Sequence, residues 1–261
     1  MDTHPQYKNK KLIVFDLDGT LTESKSPMDP EMNSVLSALL GKTKVAVIGG
    51  GHFPQFEKQF VSRLNCSPEL LGNLFLFPTT ASSFYRYSKG WELVYSHLLS
   101  SDQKRVIFSA FEEALTELEY TPPKQIYGEV LEDRGSQISF SPLGQKIVDV
   151  LGEKGIALKM EWGATSWRPR IAEAVSKRLP EFNVKMGGIS TIDVTVKGID
   201  KGYGLRQIEK HLRIPITDMF FIGDAIFPGG NDYAVVPTGV HHLKIDGPHH
   251  TKKIIQDILG I

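Results

Sequence analysis

The sequence predicts an α/β protein: a Rossmann-like parallel-sheet core interrupted by an inserted α+β domain. Three observations carry this. Short continuous apolar runs at 12–15, 44–48, 74–77 and 219–222 read as strands buried on both faces. Segments with helical spacing separate the first three, the alternation of a doubly wound sheet. Between the third and fourth runs the pattern changes to alternating polar and apolar positions, as in an antiparallel sheet covered on one face.

The elements follow in order. Leu12 to Phe15 is the first strand, ended by Asp16-Leu17-Asp18-Gly19-Thr20. Met32, Val35, Leu36, Leu39 and Leu40 give a helix over 30–40, with Pro30 at its start and Gly41 just past its end. The run at 44–48 stops at Gly49-Gly50-Gly51, a helix is expected over 54–64, and the run at 74–77 stops at Pro78. Residues 85–95 alternate aromatic and polar residues around Gly90, as a hairpin does. A long amphipathic helix is expected over 102–119, paired strands at 125–131 and 136–140, a helix at 168–179, and strands at 184–186 and 192–196. The last third returns to the parallel-sheet pattern, with a helix over 201–212 and a strand at 219–222. That pattern continues at 235–239 and 242–245, and a helix over 251–259 closes the chain. The expected domains are a core of residues 1–84 and 195–261 and an insert of residues 85–194.

At 261 residues the chain is long enough for one large core or two modest ones. Lys+Arg and Asp+Glu both count 30, and this neutral balance argues against a nucleic-acid partner. The single Cys66 excludes an internal disulfide and a cysteine-built zinc cluster. No run reaches the ~18 apolar residues of a membrane span. Residues 1–11 are polar and lack the apolar core of a signal peptide, so a cytoplasmic protein without a membrane partner is expected.

Asp16 and Asp18 sit past the C-terminal end of the first strand, where open α/β sheets bind ligands. Residues two apart on an extended chain point the same way, so the two carboxylates repel unless a cation lies between them. A second acidic group, Asp224 with Asn231 and Asp232, follows the strand at 219–222. Two such strand ends fit a shared magnesium site, because magnesium takes hard oxygen ligands from one or two carboxylates and completes its shell with water and phosphate. The ordinary alternative for each group is a solvated turn.

With these residues in place the chain is identified as a member of the haloacid dehalogenase superfamily. Asp16-Leu17-Asp18-Gly19-Thr20-Leu21-Thr22 is similar to its D-x-D-G-T nucleophile loop, Lys201 in Asp200-Lys201-Gly202 to its third motif, and Gly223-Asp224 with Gly230-Asn231-Asp232 to its fourth. The stretch 223–232, Gly187-Gly188 before Thr191-Ile192-Asp193-Val194, and Ser141-Pro142-Leu143-Gly144 resemble the Cof-type and phosphomannomutase-like branch, whose insert is an α+β cap closing over the core. The resemblance implies that Asp16 is the nucleophile and Asp18 the general acid/base, its backbone carbonyl also a magnesium ligand. Thr20 and loop N–H groups would hold phosphoryl oxygens, and Lys201 would offset negative charge. Asp16 and Asp224 would be metal carboxylates supported by Asn231 and Asp232. Lys25, Arg134, Gln145, Thr191 and Asp193 fall at substrate-binding positions, and a homodimer through the cap is expected.

The chain also departs from that pattern. The family has a hydroxyl residue after the second strand; here Gly49, Gly50 and Gly51 fill the phosphate loop, and His52 is either a substitute donor or an ordinary surface histidine, the reading favoured by position. Losing one such bond costs ~2 to 4 kcal/mol of transition-state stabilisation. Gln145 stands where the mutases carry an arginine, and no second arginine falls near Gly152. Arg168 and Arg170 could supply the charge from a shifted position. A mutase needs a strong second anion site, so the expected activity is a magnesium-dependent phosphatase acting on a small phosphorylated sugar. A hexose-phosphate mutase and a weakly active phosphosugar-binding protein are the alternatives.

Overall fold

The computed structural model describes residue 7, residues 9–24 and residues 26–261. Strand β1 (Leu12–Asp16) is buried along its whole length, as a strand covered on both faces must be. Helix α1 (Pro30–Leu40) is capped by Asp29, whose side chain accepts from the Glu31 and Met32 N–H groups. Strand β2 (Lys44–Ile48), helix α2 (Phe53–Gln59) and strand β3 (Leu74–Phe77) follow. The helix expected to 64 stops at Gln59 and passes into a 3-10 turn at Val61–Arg63.

Strands β4 (Ser83–Tyr87) and β5 (Trp91–Ser96) form the expected hairpin. Together with β10 (Met219–Gly223) and β11 (His241–Lys244) they complete one seven-stranded sheet of order β11-β10-β1-β2-β3-β4-β5. Pairing is parallel from β11 to β3, then antiparallel through β4 and β5. The two faces of the parallel part pack in separate apolar clusters, one around Phe15, Leu36, Val47 and Phe56, the other around Val14, Ile48, Phe77 and Leu205.

The insert contributes helix α3 (Ser101–Glu117), strands β6 (Leu131–Asp133) and β7 (Gln137–Phe140), helices α4 (Glu153–Gly163) and α5 (Trp167–Arg178), and strands β8 (Phe182–Gly187) and β9 (Thr191–Val196). Its sheet has the order β6-β7-β9-β8, all antiparallel. Ile138, Phe140, Ile192 and Val194 pack in one cluster with Ile107 and Phe111 of α3 and Ile171 and Val175 of α5. Residues 125–130, expected as strand, are irregular; only Leu131–Asp133 pairs. Helix α6 (Lys201–Leu212) returns the chain to the first sheet, and α7 (Pro248–Leu259) closes it.

The chain divides into two compact units, one running up to Ser96 and resuming at Asp200, the other His97–Ile199. The expected boundaries therefore move from 84 to 96 and from 194 to 199. The reason is the β4–β5 hairpin: Phe75 pairs with Arg86 and Leu76 with Tyr85, so its alternation marks the outer edge of the large sheet and not the start of the insert. No described helix is long and apolar enough to cross a membrane.

Candidate active site

Strands β1 and β10 are parallel neighbours, with Phe15 beside Ile222. Their C-terminal ends therefore deliver Asp16 and Asp224 to the same edge. Lys201 is the first residue of α6, whose start is fixed by Asp200 accepting from the Tyr203 N–H at 2.8 Å. A Cβ on Gly202 would lie 2.4 Å from the Ala234 carbonyl oxygen, so only glycine lets this helix start approach the turn that follows Asp232. The three chain segments thus converge although Asp16 and Lys201 are 185 positions apart.

One ligand atom from each of Asp16, Asp224 and Asp232 lies within 4.8 Å of the other two. Lys201 Nζ donates to Asp16 Oδ1 at 2.5 Å and also to Asp232 Oδ1. Asp232 Oδ2 accepts from the Ala225 N–H at 3.0 Å, so both oxygens of that fully buried carboxylate are held by protein donors. Asp232 therefore ties Lys201 to the backbone that follows Asp224. Half-buried Asn231 adjoins it. A Cβ on Gly19, at φ +84°, would lie 2.6 Å from Asp224 Oδ2, so the nucleophile-loop glycine leaves room for that carboxylate.

Burial raises the Asp16 carboxyl well above its ordinary range; the Lys201 ammonium opposes this, and the Asp232 and Asp224 charges push it further up. Asp224 is raised by burial and by Asp232. Burial pulls Lys201 down, but Asp16 and Asp232 outweigh it, so the ammonium stays charged. Two buried carboxylates and the half-buried Asp224 lie around one ammonium, and the deficit of positive charge fits a hard divalent cation held by Asp16 and Asp224. The Asp18 carboxylate is not part of this cluster. The carboxylates that cluster with Asp16 are those of Asp224 and Asp232.

Asp18 Oδ1 accepts from Gln59 Nε2 at 3.0 Å. Thr20 Oγ1 lies 3.5 Å from Asp16 Oδ2, a long contact. The N–H groups of Gly19, Thr20, Leu21 and Thr22 donate within the loop itself, to Thr22 and Leu17 carbonyls, which rigidifies the turn that follows Asp16. Lys25 lies outside the described residues.

The glycine loop is held from an unexpected side. Thr79 N–H donates to the Gly51 carbonyl and Thr80 N–H to the Gly49 carbonyl, both at 2.8 Å. Thr79, Thr80 and Ala81 all have left-handed backbone, with φ of 49°, 56° and 65°. Three such non-glycine residues in a row are costly, at ~1 to 2 kcal/mol each. The turn is kept in place by packing: a Cβ on Gly204 of α6 would meet Ala81 Cβ at 2.9 Å. Strain of this kind concentrates at functional sites. Thr80→Gly relieves part of it and is expected to raise stability by ~1 kcal/mol, read as a Tm gain of a few degrees; an unchanged or lower Tm would count against stored strain.

In the second unit, cross-strand pairing sets Glu132, Ser139, Asp193 and Lys185 in one row across all four strands. They share the face opposite Ile138 and Val194. Ser139 Oγ donates to Asp193 Oδ1 at 2.6 Å, and Thr191 Oγ1 donates to the Gly187 carbonyl at 2.5 Å. The Arg134 side chain is 4% exposed; its Nε donates to Glu132 Oε2 at 2.6 Å and Nη2 to Gln145 Oε1 at 3.3 Å. Arg168 donates to the carbonyls of Gly187, Gly188, Ile189 and Thr191. It clasps the β8–β9 turn, and Arg170 lies over the Trp167 ring at 4.6 Å. Gln59 and Glu132 are not among the residues expected from the sequence. A signal for Gln59 exists: it falls on the apolar stripe of α2 with Phe56, just before the buried Phe60, where a polar side chain needs a partner.

Comparison with known proteins agrees with this geometry. The chain is 28% identical to a phosphomannomutase of Drosophila melanogaster over the whole of both chains. It is 26% identical to a probable phosphomannomutase of Caenorhabditis elegans, covering 96% of each. Among solved structures, the C-terminal domain of trehalose-6-phosphate phosphatase from C. albicans superposes with a TM-score of 0.64 at 16% identity, covering 98% of this chain and 94% of that one. An N-terminally truncated, IMP-bound Plasmodium falciparum IMP-nucleotidase gives 0.70 at 18%, covering 98% and 71%. Those two likenesses concern the fold. The model of the eukaryotic phosphomannomutase family matches residues 32–261. The chain therefore belongs to the eukaryotic phosphomannomutase family, a branch of the haloacid dehalogenase superfamily of phosphoryl-transfer enzymes.

Proposed function

We propose that this enzyme hydrolyses a small sugar phosphate through an aspartyl-phosphate on Asp16, with magnesium held by Asp16, Asp224 and the Asp18 backbone carbonyl. The observation that carries it is the buried Asp16 bridged to Lys201 beside Asp224 and Asp232 at adjoining strand ends. The cation, when bound, neutralises charge on the transferring phosphoryl group. An Asp16 carboxylate oxygen attacks phosphorus, and the bond from phosphorus to the sugar oxygen breaks. Asp18 gives its proton to that oxygen. It then takes a proton from the water that attacks phosphorus, so inorganic phosphate leaves and Asp16 is restored. Lys201 compensates the charge of Asp16 throughout. Thr20 and the loop at Gly49, Gly50 and Gly51 face the phosphoryl oxygens.

The second unit carries substrate specificity through Arg134, Gln145, Thr191 and Asp193. Hydrolysis is favoured over mutase transfer because Arg134 already pairs with Glu132 and Arg168 is spent on backbone carbonyls. A bisphosphate intermediate needs strong cationic recognition at both ends, which a neutralised arginine and Gln145 supply poorly. The mutase reading draws its support from the phosphomannomutase relatives. The lone thiol of Cys66 accords with a reducing, cytoplasmic setting. A phosphorus NMR time course with mannose 1-phosphate and magnesium tests the proposal. Inorganic phosphate should accumulate without an activator. Growth of a 6-phosphate that requires a hexose 1,6-bisphosphate would establish the mutase instead, and absence of both would overturn this choice of substrate.

A further inference from the structure

We infer that Gln59 is the positioning residue for the Asp18 carboxylate, and this rests on the reading of Asp18 as the general acid/base. Gln59 ends helix α2 and is 3% exposed. Its Nε2 donates at 3.0 Å to Asp18 Oδ1 and at 2.6 Å to Thr22 Oγ1. Its Oε1 accepts from Gln55 Nε2 at 3.2 Å, and its backbone carbonyl accepts from the Met28 N–H at 2.9 Å. Both the side-chain amide and the main chain of Gln59 are therefore fixed.

The chemistry of the amide matters. Nε2 carries two hydrogens, and the two acceptors it meets are the Asp18 carboxylate and the Thr22 hydroxyl. Thr22 Oγ1 itself sits 3.5 Å from the Leu17 carbonyl, within the nucleophile loop. One buried amide thus ties the loop to α2 at the residue that must move protons. Held through Oδ1, the carboxyl has a fixed orientation for proton transfer. A buried glutamine costs stability unless its polar atoms are matched, and here each has a partner.

A positioning role predicts a dependence on the leaving group. A sugar alkoxide departs only with a proton, whereas p-nitrophenolate departs without one. Gln59→Leu should lower kcat/KM for mannose 1-phosphate by about 10- to 100-fold, part of the 10²- to 10⁴-fold an acid contributes, while leaving p-nitrophenyl phosphate within about threefold. Asp18→Asn is the reference and should show the same split more strongly. Gln59→Glu keeps the shape but turns the donor into an acceptor facing a carboxylate, and should be at least as impaired as Gln59→Leu. If Gln59→Leu does not fold, Gln55→Ala removes only the support at Oε1 and should show a smaller split of the same sign. Equal losses on both substrates, or no loss on either, would overturn the inference where Asp18→Asn shows the split. If Asp18→Asn shows none, the acid/base assignment itself fails and the inference falls with it.

Discussion

Asp16→Asn is expected to abolish turnover, a loss of ~10⁴-fold or more, because an amide cannot form the phosphoenzyme. Acid-quenched protein from a reaction with labelled substrate should carry phosphate in the wild type and none in the variant. Retained activity would refute the nucleophile. The same substitution has a second consequence, of opposite sign for stability. The folded protein raises the Asp16 carboxyl well above its usual range by burying it beside Asp232 and Asp224. A group raised in the folded state contributes stability that is full below its unfolded value, roughly pH 3.9, and is lost as pH rises through its folded value. Metal-free wild-type protein therefore loses stability toward neutral pH, and the Asn variant is spared that loss. Its Tm should exceed the wild type's at pH 7 without magnesium, and the gap should close in acid. A variant less stable at neutral pH would mean that the Lys201–Asp16 pair outweighs the repulsion.

How much of this is legible in the sequence follows from what each residue type can signal. Strands β1, β2, β3 and β10 are buried on both faces and read directly as apolar runs. The β4–β5 hairpin is legible as a hairpin, but alternation does not say which sheet it joins; that is settled by long-range pairing with β3. Helix α4 leaves no readable period. Its ends are Glu153 and Gly163, Gly155 sits in its first turn, and its inward face includes a buried lysine, Lys159, so the apolar spacing is broken. Asp16, Lys201, Asp224 and Asp232 are legible as strand-end and helix-start residues, and the family resemblance groups them. The grouping of Asp16 with Asp224 and Asp232 is not legible from direction along a strand, because it joins segments far apart in the chain, and past Asp16 Gly19 and the internal bonds from Gly19 to Thr22 bend the loop. The Glu132–Arg134 pair spans a strand end and a turn, and only tertiary structure shows that the arginine is neutralised at 2.6 Å.

The missing hydroxyl of the glycine loop takes on a different meaning beside its neighbour. Gly49 and Gly51 contribute no side-chain donor, yet their carbonyls are anchored by the left-handed turn at Thr79 and Thr80. Anchoring carbonyls fixes the peptide planes, and with them the direction of the N–H groups between. The loop therefore keeps its backbone order while lacking one donor. On the proposed mechanism, one donor fewer in this loop places more of the charge compensation on Lys201.

Lys201→Met tests that dependence and should have the largest effect on stability. Lys201 is 1% exposed and bridges two carboxylates, one of them fully buried. Removing the ammonium leaves Asp16 and Asp232 as uncompensated buried charges beside Asp224, a loss of ~3 to 5 kcal/mol. For a chain of this size that corresponds to a Tm fall on the order of 10 °C. Without the ammonium the Asp16 carboxyl rises further in the folded state, so the deficit should be smallest in acid, where it is protonated, and should grow toward neutral pH. Magnesium should recover part of it, since a cation held by Asp16 and Asp224 relieves the same repulsion. A uniform deficit, independent of pH and magnesium, would assign the loss to packing of the lysine stem. The double variant Lys201→Met with Asp16→Asn separates the two causes: it should be more stable than Lys201→Met alone if uncompensated charge is the cause, and no better if packing is.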